Sequence, residues 1–218
     1  MEPQEKIEEV IKRLRNHFIM HRWWENTDYT PFEIMVAIIL SQRCHYKLVA
    51  MAMIDFRDKY RVPEEVVRDP THLDSIIKRT GYRKNKISAV IGLSKTIIDN
   101  GGIDLFLKSD PEVVRHKLLS IKGIGEKTAD VILMALYKFQ VFPVDVHILR
   151  IMKRLGIVSK KDDIYSARRK VEPLIPPRDR AYLHAALVSY GQQICRSKFP
   201  ICSKCILRDI CEISTEEV

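Results

Sequence analysis

A chain of 218 residues, 46% hydrophobic and 30% charged, is long enough to bury a sizeable core as one domain or as two small ones. Its longest apolar run, 34–40, falls far short of the roughly 20 residues that span a bilayer. The acidic start MEPQEKIEEV lacks the apolar centre of a secretion signal, so a cytoplasmic protein with no membrane association is expected. Against 28 acidic side chains stand 37 basic ones, and the net charge of +9 favours a polyanionic partner through counterion release.

Helix signals recur along the chain and strand signals are scarce. Residues 5–20 set Ile7, Val10, Ile11, Leu14 and Phe18 at helical spacing. Thr30-Pro31-Phe32-Glu33 joins a capping box to proline at the first helical position and opens an apolar helix to about Ser41. A helix over about 45–60 follows. Asp69-Pro70-Thr71-His72 starts another, with Gly81 as its left-handed stop. Residues 84–99 carry Ile87, Val90, Ile91, Leu93 and Ile97 on one face and end at Gly101-Gly102. Ser109-Asp110-Pro111-Glu112 caps a helix over 113–120, and further helices are predicted at about 126–138, 145–155, 164–174 and 178–190. The fold class is all-α.

Between two of these helices lies the tight turn Ile121-Lys122-Gly123-Ile124-Gly125. Glycines tolerate positive φ and leave backbone N–H groups unshielded, and a helix begins at once with its positive dipole end in the same space. Such a turn either grips a phosphate without reading sequence or is a plain helical hairpin. Four of the five cysteines, Cys195, Cys202, Cys205 and Cys211, crowd into 17 residues, while Cys44 stands alone. Without a secretion signal that clustering points to zinc or an iron–sulfur cluster over disulfides.

The segment I-K-G-I-G-E-K-T-A-D-V-I-L over 121–133, the segment Phe142-Pro143-Val144-Asp145-Val146-His147, and the C-x6-C-x2-C-x5-C spacing of the four cysteines occur in this order. Together they resemble the helix-hairpin-helix DNA glycosylases of the endonuclease III branch. The resemblance extends more weakly upstream through Ile39-Leu40-Ser41-Gln42-Arg43 and Gly81-Tyr82-Arg83-Lys84-Asn85-Lys86.

That resemblance implies a base-excision-repair enzyme with two all-α lobes. A six-helix lobe over 27–139 would carry the hairpin (about 113–137). The other lobe would combine 1–26 with 140–218 and hold a [4Fe–4S] cluster on the loop 195–211. Duplex DNA with a damaged or mismatched base would lie in the cleft between them, bound by a monomer that is nucleoid-associated if prokaryotic.

Lys127 stands where the bifunctional members carry their nucleophile. A neutral amine can attack C1′ of the damaged nucleotide, form a Schiff base and allow β-elimination. The first turn of a helix helps, because its positive dipole end disfavours an ammonium. Asp145 would cap the next helix and, still ionised, stabilise positive charge developing on the sugar. Gly123, Ile124, Gly125, His147 and Arg150 are implied phosphate contacts. Arg196 and Lys198 would touch the backbone from a loop tied down by the cluster, which would hold the fold without cleaving bonds.

To reach C1′ the enzyme must extrude the nucleotide. Gln42 or Arg43 would fill the gap, and Cys44-His45-Tyr46 would line the lesion pocket. Many relatives carry Thr-x-Asp at these three positions, so the preference for oxidised pyrimidines rests on the rest of the resemblance. The alternatives are a mismatch glycosylase of the same fold, releasing thymine, uracil or adenine, and a non-catalytic iron–sulfur DNA-binding protein. An intact Lys127 and Asp145 speak against the second.

Overall fold

The structure, a computed structural model, describes residues 1–18 and 28–212. Every regular element among the described residues is helical. The chain clusters into two compact units, Trp24–Phe139 and a second built from Met1–Trp23 with Gln140–Val218. No helix among the described residues is long and apolar enough to cross a membrane.

The N-terminal helix α1 (Pro3–His17) has a capping box from Glu2 and Glu5 and buries Ile7, Val10, Ile11 and Leu14 on one stripe. The last positions of the predicted segment, 19 and 20, and the expected lobe boundary at 26/27 lie outside the described residues.

The continuous unit runs through α2 (Pro31–Leu40), α3 (Tyr46–Lys59), α4 (Pro63–Arg68), α5 (Leu73–Ile77), α6 (Arg83–Asp99), α7 (Ile103–Lys108), α8 (Pro111–Leu119) and α9 (Glu126–Tyr137). Helix α2 is its centre: from Met35 to Leu40 every side chain is buried, and α3, α6 and α9 pack against it. A helix apolar all round needs such a wrapping. Its one buried charge, Glu33, is fully satisfied: one carboxylate oxygen accepts the Thr30 N–H at 2.7 Å, the other the Arg57 Nε–H at 3.1 Å. The helix expected to end at Gly81 is shorter than its pattern. It closes as a 3-10 turn over Lys78–Thr80, with Gly81 at φ +71°. Sequence reasoning passed over α4 and α7, six residues each, because so short a span cannot display a helical period.

The other unit packs α1 with α10 (Val146–Arg154), α11 (Ile164–Val171) and α12 (Pro177–Gln193). Pro173 ends α11 two residues after Val171, leaving a 3-10 turn at Glu172–Leu174. The core gathers Ile7, Val10 and Leu14 with Ile148, Ile151, Met152, Leu183, Leu187 and Tyr190, and reaches Leu207 in the cysteine segment.

Candidate functional site

The glycine turn joins α8 to α9 as expected. Gly123 sits at φ +96°, and a Cβ there would lie 2.7 Å from the Asn85 carbonyl oxygen and 3.1 Å from Ala89 Cβ. Both the dihedral and the approach of α6 therefore require glycine. Ile124 is buried and its N–H bonds Ile121 O at 3.0 Å, which anchors the turn. The N–H groups of Gly123, Gly125, Glu126 and Lys127 have no acceptor among the described residues. They open on the positive end of α9.

Lys127, the second residue of α9, is exposed, and its ammonium has no hydrogen-bond or ion-pair partner among the described residues. On the same helix the buried Asp130 is held by Arg115 Nε at 2.8 Å, which locks α9 onto α8.

Gln42 reaches this turn: its amide donates to Gly123 O and Thr128 Oγ1, both at 3.0 Å. Arg43 turns the other way. At φ +49° it lays its guanidinium 5.0 Å above the Tyr82 ring and donates to the Tyr82 hydroxyl at 2.7 Å. Tyr82 is itself left-handed, at φ +48°.

Beneath both loops lies Lys86, completely buried, its Nζ donating to Leu40 O at 2.8 Å and Thr80 O at 2.7 Å. One ammonium thus ties the end of α2 to the end of the 3-10 turn. Burial pulls its pKa below the ordinary lysine value. Cys44 is half-buried, and burial pushes its thiol up, opposed by the charge of Lys86. His45 caps α3 and its ring lies 4.6 Å from that of the exposed Tyr46.

Asp145 is the N-cap of α10. Its Oδ1 accepts the N–H groups of His147 at 2.9 Å and Ile148 at 3.0 Å, which fixes the carboxyl group at the helix start. The buried His184 fixes the segment before it, with Nδ1 donating to Pro143 O at 2.8 Å. His147 Nδ1 lies 3.1 Å from Arg150 Nη2. The Arg150 guanidinium is occupied within its own unit, donating to Gly191 O and Cys195 O at 2.9–3.0 Å.

All four clustered cysteines are half-buried thiols outside any disulfide. Arg154 Nη1 donates to Cys195 Sγ at 3.2 Å, and Tyr190 Oη to Cys205 Sγ at 3.1 Å. Burial pushes the Tyr190 hydroxyl up, which keeps it a donor. No three His, Cys, Asp or Glu side chains among the described residues converge tightly enough to hold a metal ion. What fits a soft metal centre is the donor set: four thiols, two of them already facing the N–H and O–H donors that a thiolate would want.

The segment is latched from α1 by Arg13, which bonds Asp209 and donates to Ile206 O at 2.9 Å, and by Lys6, which bonds Glu212 at 2.5 Å. Arg196 and Lys198 are exposed on the intervening loop.

Sequence reasoning missed Lys86, Arg154, Tyr190 and His184. Lys86 had a readable signal: it shares the apolar face of α6 with Ala89, Val90 and Leu93. Tyr190 and His184 look like ordinary core positions of α12.

The profile of the HhH-GPD superfamily base excision DNA repair proteins matches residues 36–177. Endonuclease III of Bacillus subtilis is 30% identical over 207 residues, covering 94% of this chain and 91% of that protein. A non-covalent endonuclease III–DNA complex superposes with a TM-score of 0.84 at 26% identity, covering 97% of this chain and 96% of the other. A trapped endonuclease III–DNA covalent intermediate gives 0.83 at 25% identity, with 97% of both chains covered.

Proposed function

The chain belongs to the HhH-GPD superfamily of base excision DNA repair proteins and is a repair glycosylase/lyase, and we propose that Lys127 is its nucleophile and Asp145 its essential carboxylate. The observation that carries this is the Lys127 amine at the start of α9, without a partner among the described residues, beside a glycine turn with N–H groups that no described acceptor takes. In the proposed reaction Nζ, as a neutral amine, gives its lone pair to C1′. The N-glycosidic bond breaks with its electron pair going to the base, which leaves and is protonated. Ring opening yields a Schiff base with Lys127; loss of the C2′ proton then expels the 3′ phosphate and cuts the strand. Asp145, ionised at the head of α10, would stabilise cationic character on the sugar. The trapped intermediate of an endonuclease III relative is consistent with covalent chemistry of this kind.

DNA is the partner, and the chain's relatives in complex with it support this. The finer assignments are proposals. The continuous unit is the hairpin lobe, and the unit of α1 with α10–α12 is the iron–sulfur lobe. Gln42 and Arg43 occupy the gap left by an extruded nucleotide, Cys44, His45 and Tyr46 line the lesion pocket, and oxidised pyrimidines are the substrates. Gly123, Ile124, Gly125, His147, Arg150, Arg196 and Lys198 belong to the DNA-binding surface, and the protein acts as a monomer on chromosomal DNA in the cytoplasm. Cys195, Cys202, Cys205 and Cys211 would hold a [4Fe–4S] cluster, which when bound cross-links the C-terminal segment and takes no part in bond cleavage.

Borohydride trapping on duplexes carrying oxidised pyrimidines, abasic sites and T, U or A mismatches tests the reading. A covalent adduct with wild type that vanishes in Lys127→Ala is expected. Base release without an adduct would replace the lyase with a monofunctional glycosylase, and no release from any duplex would leave only DNA binding.

A further inference from the structure

The loop between Cys195 and Cys202 presents to water a residue that folding alone would not place there. Phe199 is 87% exposed, more than any other large hydrophobic side chain among the described residues. Its backbone is left-handed, φ +53°, a region that disfavours any residue with a Cβ. Pro200 follows and disfavours the right-handed helical alternative. Glycine or asparagine would suit this position better on conformation and on solvation alike.

The loop beneath is firmly built. Ile201 N–H bonds Ile194 O at 2.9 Å across its base, Arg154 donates to Arg196 O at 2.7 Å, and Arg150 grips Cys195 O. The exposed tip therefore carries two cations and one aromatic ring on a braced backbone. Arg196 Nε donates to Gln193 O at 3.1 Å, and neither Arg196 nor Lys198 pairs with a carboxylate among the described residues.

A ring flanked by cations whose charge no described carboxylate neutralises matches a nucleic acid in both of its chemistries: cations take phosphates, and the ring takes the apolar face of a sugar or an unstacked base. We propose that Phe199 is a DNA-contacting residue whose ring packs against a sugar or base face beside the phosphates engaged by Arg196 and Lys198. This rests on the reading of DNA as the partner. It adds an apolar contact, which contributes affinity that salt does not screen, where the basic loop alone would supply only electrostatics.

Fluorescence anisotropy on a duplex with a stable abasic-site analogue, measured across a salt series, separates the two contributions. Phe199→Gly relieves the dihedral, so its melting temperature should not fall below wild type. It should weaken binding about tenfold at every salt concentration, with the slope of log K against log salt unchanged. Phe199→Tyr keeps the ring and should bind close to wild type. Lys198→Ala should instead lower the slope by about one.

Binding by Phe199→Gly equal to wild type overturns the inference while leaving the repair enzyme intact. So does loss of binding to anionic phospholipid vesicles with DNA affinity unchanged, which would make the tip a membrane contact. A wild-type chain that fails to bind the duplex overturns the DNA reading and the inference with it.

Discussion

The glycine turn at 121–125 and the cysteine segment at 195–212 are both irregular stretches pinned against a helical unit, but by opposite means. The turn is set mainly by its own backbone: a positive φ at Gly123, a buried Ile124, and an approach to Asn85 too close for a Cβ. Among the described residues, Gln42 is the distant side chain that hydrogen-bonds its backbone. The cysteine segment has short backbone turns of its own, but it is fastened to the rest of its unit largely by side chains from far away, Lys6 and Arg13 on α1, Arg154 on α10 and Tyr190 on α12. A backbone-built turn resists most surface substitutions and fails on one added methyl; a side-chain-built segment behaves the other way.

The strongest break of that contrast is Cys202→Ser. If a metal centre completes the side-chain scaffold, its visible absorbance disappears and the unit that holds it unfolds at lower temperature, while the hairpin unit keeps its own transition, as calorimetry would resolve. Survival of the colour would remove Cys202 from the ligand set.

Gly123→Ala breaks the other side. The methyl meets the Asn85 carbonyl in a strained dihedral, and a loss of about 2–3 kcal/mol is expected in denaturant titration. An unchanged midpoint would show that α6 yields easily.

Lys86→Met sharpens the comparison by removing a buried side chain that ties two loops beside the turn. It leaves two buried carbonyls, Leu40 O and Thr80 O, without their donor, at a cost of about 1–2 kcal/mol. Limited proteolysis should then nick near Arg43 or Tyr82 faster than in wild type.

Asp209→Asn is the mildest. The Arg13 guanidinium holds the Asp209 carboxyl below the ordinary carboxylate range. The pair's contribution is thus complete above roughly pH 4 and is lost as acid titrates the folded carboxylate. Because the Asp209 side of the pair is exposed, a difference of about 1–2 °C in melting temperature at neutral pH is expected, vanishing in acid.

The same contrast explains what could be read beforehand. The all-α class, most helix positions and the glycine turn follow from caps, prolines and apolar periods, which act over a few residues. The capping geometry of Asp145 follows likewise. Lys127 could be singled out from the family resemblance and not from spacing alone, and its lack of a partner among the described residues emerged only in three dimensions. The clamps on the cysteine segment join positions as far apart as 206 residues, from Lys6 to Glu212, and no local pattern encodes such a pairing. Arg150 illustrates the difficulty: from the sequence it is a cation open to phosphate, yet its guanidinium is occupied by two carbonyls of its own unit.

The interleaved order of the two units bears on how the protein is made. The stretch from Trp24 to Phe139 leaves the ribosome as one continuous piece and can collapse at once. Helix α1 emerges before that stretch and then lacks its packing partners, since Ile151, Leu187 and Leu207 are still to be translated. At roughly 5–20 residues per second its greasy stripe stays wet for about ten to forty seconds. Helix α1 is therefore made before the continuous unit yet docks after it, and a nascent chain stalled before α12 would display Ile7, Val10 and Leu14 to whatever chaperone is near.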